Sequence, residues 1–248
     1  MAWSVGDQIN GTNEPGGFEI FEVSNPTKPV RVGGYRSRAP VNAIRAVGHH
    51  VYLATELGTT FSNESGVLEI INVSNAAHPV RTGGIPTARR ATGIRVAGNF
   101  AYVAERIASA DAYPTLCALE IFDVSTPTNP IRVGTLDTIG TFTSFDVSGR
   151  YVYLADGVTD LQVIDVSDPG NPRRVGVYQS DTANNLCGFE PGGPANHVQV
   201  LGSLAYSYGD NGLHVLDVSD PAHPISINDS FCFPIYGLQV SKRYAFAM

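Results

Sequence analysis

One phrase recurs five times along this 248-residue chain. A repeat constrains architecture before any other feature, because every copy must build the same unit and bury its surface against its neighbours. The first copy is Phe18-Glu19-Ile20-Phe21-Glu22-Val23-Ser24-Asn25-Pro26, followed by Pro29-Val30-Arg31-Val32-Gly33. The second is Leu68-Glu69-Ile70-Ile71-Asn72-Val73-Ser74-Asn75, followed by Pro79-Val80-Arg81-Thr82-Gly83. Further copies begin at Leu119-Glu120-Ile121-Phe122-Asp123-Val124-Ser125, Leu161-Gln162-Val163-Ile164-Asp165-Val166-Ser167 and Leu213-His214-Val215-Leu216-Asp217-Val218-Ser219. The period is roughly 40 to 50 residues. β-Branched residues alternate with polar ones on both sides of a Ser-Asn/Asp-Pro turn, so each copy reads as strand, turn, strand.

A second phrase lies between the copies: Ala43-Ile44-Arg45-Ala46-Val47-Gly48 then Val51-Tyr52-Leu53-Ala54, and Gly93-Ile94-Arg95-Val96-Ala97-Gly98 then Ala101-Tyr102-Val103-Ala104. Its later copies span 144–155, 198–208 and 237–247, and each is a hairpin, which makes four strands per unit. A lone small sheet cannot bury both faces, but radial stacking buries them between neighbours, which is the logic of a β-propeller. The expected fold is all-β, a single β-propeller domain over residues 1–248 with five four-stranded blades. The pairs Ile44/Ala46, Ile94/Val96, Phe145/Val147, Val198/Val200 and Leu238/Val240 are expected to face the packing between blades. Ala2-Trp3-Ser4-Val5-Gly6-Asp7 and Tyr244-Ala245-Phe246-Ala247 both read as second strands, so one is surplus. The C-terminal hairpin is expected to join the N-terminal outer strands in a shared closing blade, removing exposed edges. The alternative is a fragment of a longer repeat protein.

Charged residues are 16%, with 26 Gly and 16 Pro, the balance of short strands joined by tight turns. A formal net charge of −7 gives no general attraction to phosphate backbones or anionic membranes, so nucleic acid is not an expected partner. No apolar run approaches the roughly 18 residues of a membrane-spanning helix, and no membrane insertion is expected. Met1-Ala2-Trp3-Ser4-Val5 lacks the basic and apolar regions of a secretory signal. Of three cysteines, Cys187 and Cys232 precede consecutive inner strands and are the candidate disulfide pair; Cys117 would stay unpaired and buried. No feature sets an oligomeric state.

The combination of Leu161-Gln162-Val163-Ile164-Asp165, the Asp-Val-Ser-Asp/Asn-Pro turn and the Pro-x-Arg-x-Gly strand resembles the LVIVD-repeat family over nearly the whole chain. Glu22 and Asn72 depart from its usual Asp, and Ala76 replaces the turn Pro. The resemblance implies a bacterial or archaeal β-propeller, secreted or on the cell surface. It carries over no catalytic residue.

With inner strands numbered first, the long connections gather on one face of the disc: 6–17, 55–66, 105–118, 177–196 and 228–236. Long loops on a rigid scaffold more often bind than merely connect. Arg45, Arg95, Asp146, Gln199 and Gln239 occupy equivalent positions of the innermost strands and are expected around a central channel. Helped by Arg36, Arg38, Arg89, Arg90 and Arg106 in nearby loops, the positive members suit a carboxylate, sulfate or acidic glycan. The plainer reading is a water-filled polar channel. His197 and Glu105 are candidates for acid and base, although no spacing ties them together and no catalytic role is assigned. Asp156-Gly157-Val158-Thr159-Asp160 and Gly209-Asp210-Asn211-Gly212 offer oxygen ligands for calcium, but Asp, Asn and Gly are also what tight hairpins require. Neither metal nor cofactor is expected.

The leading expectation is a non-catalytic scaffold that binds a protein, acidic glycan or small anion through the long-loop face. Loop aromatics Phe61, Tyr113, Phe189, Phe231, Phe233 and Tyr236 favour binding. The rivals are a hydrolase or lyase acting on a polyanionic sugar at the channel mouth, and a structural module of a longer surface protein.

Overall fold

The computed structural model describes residues 16–57, 65–106, 116–139, 142–156, 160–179, 195–209, 212–231, 234–241 and 244–248. They fall into two compact units, one drawn from Met1–Ala112 and Ala118–Val133, the other from Tyr113–Cys117 and Gly134–Met248. Every regular element among them is a strand, and every pairing is antiparallel.

In the first unit, β1 (Gly17–Glu22) and β2 (Val30–Arg36) form a two-stranded sheet. A four-stranded sheet follows in chain order: β3 (Val41–Val47), β4 (His50–Leu57), β5 (Ser65–Asn72) and β6 (Val80–Thr87). The next sheet holds β7 (Arg90–Ala97), β8 (Phe100–Arg106), β9 (Leu116–Asp123) and β10 (Ile131–Ile139), and its residues from Ala118 to Val133 belong to this unit.

The second unit repeats the pattern. One sheet is β11 (Phe142–Ser148), β12 (Tyr151–Asp156), β13 (Asp160–Asp165) and β14 (Arg173–Tyr178); the next is β15 (Ala195–Leu201), β16 (Leu204–Gly209), β17 (Gly212–Asp217) and β18 (Ile225–Phe231). A hairpin of β19 (Leu238–Ser241) and β20 (Tyr244–Ala247) ends the chain.

The repeat explains itself in its turns. Within each outer hairpin, the acidic or amide side chain closing the first strand accepts a hydrogen bond from the Ser N–H two residues on. Asn72, Asp123, Asp165 and Asp217 do so at 2.8 Å, and Glu22 does so at 3.0 Å. Asn25, Asn75, Asp168 and Asp220 then accept from the residue two further along, each at 3.1 Å. These side chains imitate a backbone turn. The Asp of the repeat is therefore a turn-builder, which is why Glu22 and Asn72 can stand in for it. The inner hairpins turn at Gly48, Gly98, Gly149 and Gly202, all left-handed with φ between 57 and 64°. A Cβ there would meet nothing within 4 Å, so backbone conformation, not space, calls for glycine.

Adjacent sheets within a unit bury their facing sides together. Ile44 and Ala46 pack with Phe18, Ile20, Leu53 and Ile71. Ile94 and Val96 pack with Tyr52, Leu68 and Ile70. In the second unit, Val198 and Val200 pack with Tyr153, Leu161 and Val163, and Leu238 packs with Tyr208 and Leu213.

The strand order leaves β1–β2 and β19–β20 as two separate two-stranded sheets. Their exposures depart from those of the four-stranded sheets. Val23 is 37% exposed, whereas its counterparts Val73, Val124, Val166 and Val218 are 3 to 4% exposed. Phe246 is 62% exposed, whereas its counterparts Tyr52, Tyr102 and Tyr153 are 3 to 5% exposed.

Candidate ligand-binding face

The Arg of Pro-x-Arg-x-Gly meets the second residue of the repeated strand. Arg31 pairs with Glu19, Arg81 Nε lies 3.7 Å from Glu69 Oε1, and Arg132 Nη1 donates to Glu120 Oε1 at 2.5 Å. The carboxylates are the better buried partners in each pair. Sequence reasoning missed this cross-strand pairing. Its signal was partial: in the fifth copy both partners change, to His214 and Ser226, but in the fourth Gln162 replaces the Glu while Arg174 stays.

Near Leu57 and Arg106, where β4 and β8 end in the first unit, polar side chains from neighbouring sheets converge. Arg90 Nη2 on β7 lies 2.9 Å from Glu56 Oε2 on β4. Asn42 on β3 donates to the Ala91 carbonyl at 2.9 Å and to Glu56 Oε2 at 3.4 Å. Arg90 Nε is buried without an acceptor among the described residues, although the side chain as a whole is 35% exposed. Beside it, Glu105 is fully buried on β8, opposite Ala91. Its Oε1 accepts from the Arg89 N–H at 3.2 Å, while Glu120 Oε2 accepts from the Ala88 N–H at 3.2 Å. Thr87 donates to the Arg89 carbonyl at 2.7 Å and completes the hold on the β6–β7 connection. Burial, and after it the hydrogen bond and charge of Glu120, push the Glu105 carboxyl up to about 8.

The equivalent inner-strand positions have separate fates. Asp146 Oδ2 on β11 accepts from the Val200 N–H of β15 at 2.9 Å, and its Oδ1 accepts from Val147 N–H. Gln199 Oε1 on β15 accepts from the Val240 N–H of β19 at 3.1 Å. Both side chains thus latch the backbone edge of the following sheet, satisfying a donor that has no ladder partner on that side. Arg cannot accept a hydrogen bond, and the Arg positions do otherwise: Arg45 is exposed, and Arg95 Nη1 donates to the Ile94 carbonyl at 3.0 Å. Gln239 donates to the Val240 carbonyl at 3.3 Å and is exposed.

His197 stacks on Tyr208, its cross-strand partner, with ring centroids 5.0 Å apart and planes 22° apart. Burial lowers its affinity for a proton, so the neutral imidazole is favoured. His197 and Glu105 belong to different units, and each is tied into its own surroundings. The two Asp/Gly segments are hairpin connections, since Asp156 pairs with Asp160 and Gly209 with Gly212. Asp160 is left-handed, φ 58°, a conformation Asp tolerates in turns. Cys117 is fully buried on β9. Cys187, Cys232, Phe61, Tyr113, Phe189, Phe233, residues 157–159 and 210–211 and the Phe231 side chain lie outside the described residues.

Several solved structures share the fold at low identity. A Bacteroides uniformis protein provisionally assigned as a 6-phosphogluconolactonase matches with a TM-score of 0.71 and 13% identity, over 98% of this chain and 73% of that one. The computationally designed Ika8 protein matches with a TM-score of 0.58 and 12% identity, over 88% of this chain and 58% of that one. The chain thus spans little more than half of that designed protein. These likenesses concern the fold alone, a propeller-like array of antiparallel sheets. No curated protein matches the sequence. The LVIVD repeat matches residues 88–138, 139–180 and 192–229, more than half of the chain. With the repeated strands, double side-chain turns and sheet pattern already in place, the chain belongs to the LVIVD-repeat family.

Proposed function

We propose that this chain is a non-catalytic propeller scaffold that takes up an acidic group, a carboxylate or sulfate on a glycan or small anion, at the loop end of its blades. Arg90 is the anchor. The observation that carries this reading is its guanidinium: Glu56 fixes one edge, while the buried Nε–H has no acceptor among the described residues, beside a partly exposed side chain. An unmet buried donor costs about 1 to 3 kcal/mol, which an arriving oxygen would recover. The planar guanidinium suits such bidentate recognition. Arg89, on the connection tied to Glu105 and Glu120, adds positive charge nearby. Asp146 and Gln199 serve the scaffold in this reading, whereas Arg45 and Arg95 supply charge along the inner strands. An extracellular or cell-surface setting, in keeping with the family resemblance, would offer acidic glycans.

The scaffold is proposed to close as five blades, with β19–β20 completing the sheet begun by β1–β2. The complementary exposures of Val23 and Phe246 support that pairing.

The binding reading is tested on an array of neutral, carboxylated and sulfated oligosaccharides, with hits repeated on Arg90→Ala and, as a control, the exposed Arg174→Ala. Retention should be confined to acidic glycans and fall by about tenfold or more in Arg90→Ala alone, the loss expected of a partly buried charged anchor. Retention of neutral sugars, or equal binding by Arg90→Ala and the parent chain, would overturn it.

A further inference from the structure

Glu105 and Glu120 hold adjoining amides of one connection from two neighbouring strands. Ala88 N–H points to Glu120, and Arg89 N–H points to Glu105. Both carboxyls are almost wholly removed from solvent, at 0% and 1% exposure. Their remaining oxygens differ. Glu120 Oε1 receives the Arg132 guanidinium, but Glu105 Oε2 is buried with no donor aimed at it among the described residues. Because they accept from consecutive amides, the two carboxyls are held close to one another. Two buried carboxylates held this close repel, and an unmet oxygen adds a desolvation penalty; one proton on Glu105 relieves both by giving Oε2 a hydrogen to donate toward Glu120.

We propose that Glu105 carries the proton that joins it to Glu120, and that loss of this proton frees the connection at Ala88 and Arg89 from β8 and β9. The connection then becomes a pH-responsive part of the loop end, and the inference stands whether or not Arg90 binds an anion. Around Glu105, the charged and titratable groups are Glu120 from β9 and Arg89 from the β6–β7 connection. Arg132 of β10 is engaged by Glu120, Arg90 of β7 by Glu56 of β4, and Arg106, next on β8, is exposed. Arg89 and its N–H favour the ionised form, but burial and Glu120 outweigh them. When the proton leaves for solvent, Glu105 gains strength as an acceptor for Arg89 N–H. It also acquires a charge facing Glu120, and relief of that repulsion requires the carboxyls to separate and water to reach them, which breaks the paired hold on the connection.

The test uses the full chain with carbon-13-labelled glutamate, titrated by NMR from pH 5 to 10, with amide exchange measured at Ala88 and Arg89. The Glu105 side-chain carboxyl carbon should titrate with a midpoint near 8. Across the same interval, protection of both amides should fall by about tenfold or more after correction for intrinsic exchange. In Glu105→Gln, which keeps a donor and an acceptor in place, protection should no longer depend on pH. The proposal is overturned by a Glu105 already ionised at pH 6, by constant protection across its titration, or by Glu105→Gln losing protection as the parent does. The parent chain alone decides the first two outcomes should the variant fold poorly.

Discussion

A Cβ built on Gly83 would lie 2.1 Å from the carbonyl oxygen of Pro127, so the outer strand β6 and the β9–β10 turn meet backbone to backbone. The same approach recurs between Gly33 and Ala76 at 1.9 Å, Gly134 and Pro169 at 1.9 Å, and Gly176 and Pro221 at 2.0 Å. Each time, the Gly that ends Pro-x-Arg-x-Gly receives the turn of the next copy. The two halves of the repeat are therefore coupled between neighbouring sheets, not only within one. Ala76, where the other turns have Pro, presents the same carbonyl and preserves the contact.

Replacing Gly83 with Ala should destabilise the chain by about 3 kcal/mol, because the obstacle is backbone and cannot swing aside. Gly48→Asn should cost less than about 1 kcal/mol, since space is open there and Asn tolerates a left-handed backbone. Urea denaturation of both variants beside the parent checks the pair. Equal losses would show that conformation, not the close approach, sets the demand for glycine at Gly83.

Strands and turns were legible in the sequence because each repeat carries its own alternation and its own turn residues. Ile20, Ile70, Ile121, Val163 and Val215 announced the same strand five times, and the sheets follow it. Side-chain roles were less legible. Arg45, Arg95, Asp146, Gln199 and Gln239 share one repeat position, yet only a side chain that accepts hydrogen bonds can latch a neighbouring N–H, so Asp146 and Gln199 part company with the arginines. The burial of Glu105 was hidden for another reason. Its counterpart on β4 is Thr55, an equally buried residue that donates to the Val67 carbonyl, so the repeat gives no hint of a carboxyl pair at that position.

The Asp146 latch predicts a loss of about 1 to 3 kcal/mol in Asp146→Ala, the range for hydrogen bonds to a charged group and for the N–H left unmet. Asp146→Asn keeps an acceptor and should lose less. Arg45→Ala, at an exposed position, should stay within about 0.5 kcal/mol of the parent. Thermal unfolding at one fixed pH compares the three. An Asp146→Ala variant as stable as Arg45→Ala would mean that Val200 N–H gains nothing from the carboxylate.

Global stability should fall as pH rises from about 4.5 toward about 8 through Glu105, whose ordinary value is 4.5 and whose folded value is raised to about 8. In that window the folded chain holds a proton that the unfolded chain has released, so the contribution is full below 4.5 and lost as pH climbs. One proton gives a slope of at most about 1.4 kcal/mol per pH unit. Glu105→Gln should flatten this part of the profile, becoming more stable relative to the parent at pH 9 than at pH 5. Parallel profiles for the two chains would exclude Glu105 as the source.

The proposed closure of the fifth blade is the claim on which the scaffold reading rests, and it would fix a register. Aligned on β12–β13, where Val152 faces Ile164 and Tyr153 faces Val163, strand β20 would set Ala245 opposite Phe21 and Phe246 opposite Ile20. In the four-stranded sheets the Val of Asp/Asn-Val-Ser donates its N–H to the inner hairpin turn: Val73 to His49, Val124 to Asn99, Val166 to Arg150 and Val218 to Ser203, at 2.8 to 2.9 Å. Val23 occupies the same position in the first copy, and a closed fifth blade would give its N–H an equivalent acceptor. The most direct measurement is amide hydrogen exchange of Val23 against Val73 by NMR on the full chain. Closure predicts protection of Val23 within about tenfold of Val73; exchange of Val23 at the rate of an unfolded chain, with Val73 still protected, would contradict it.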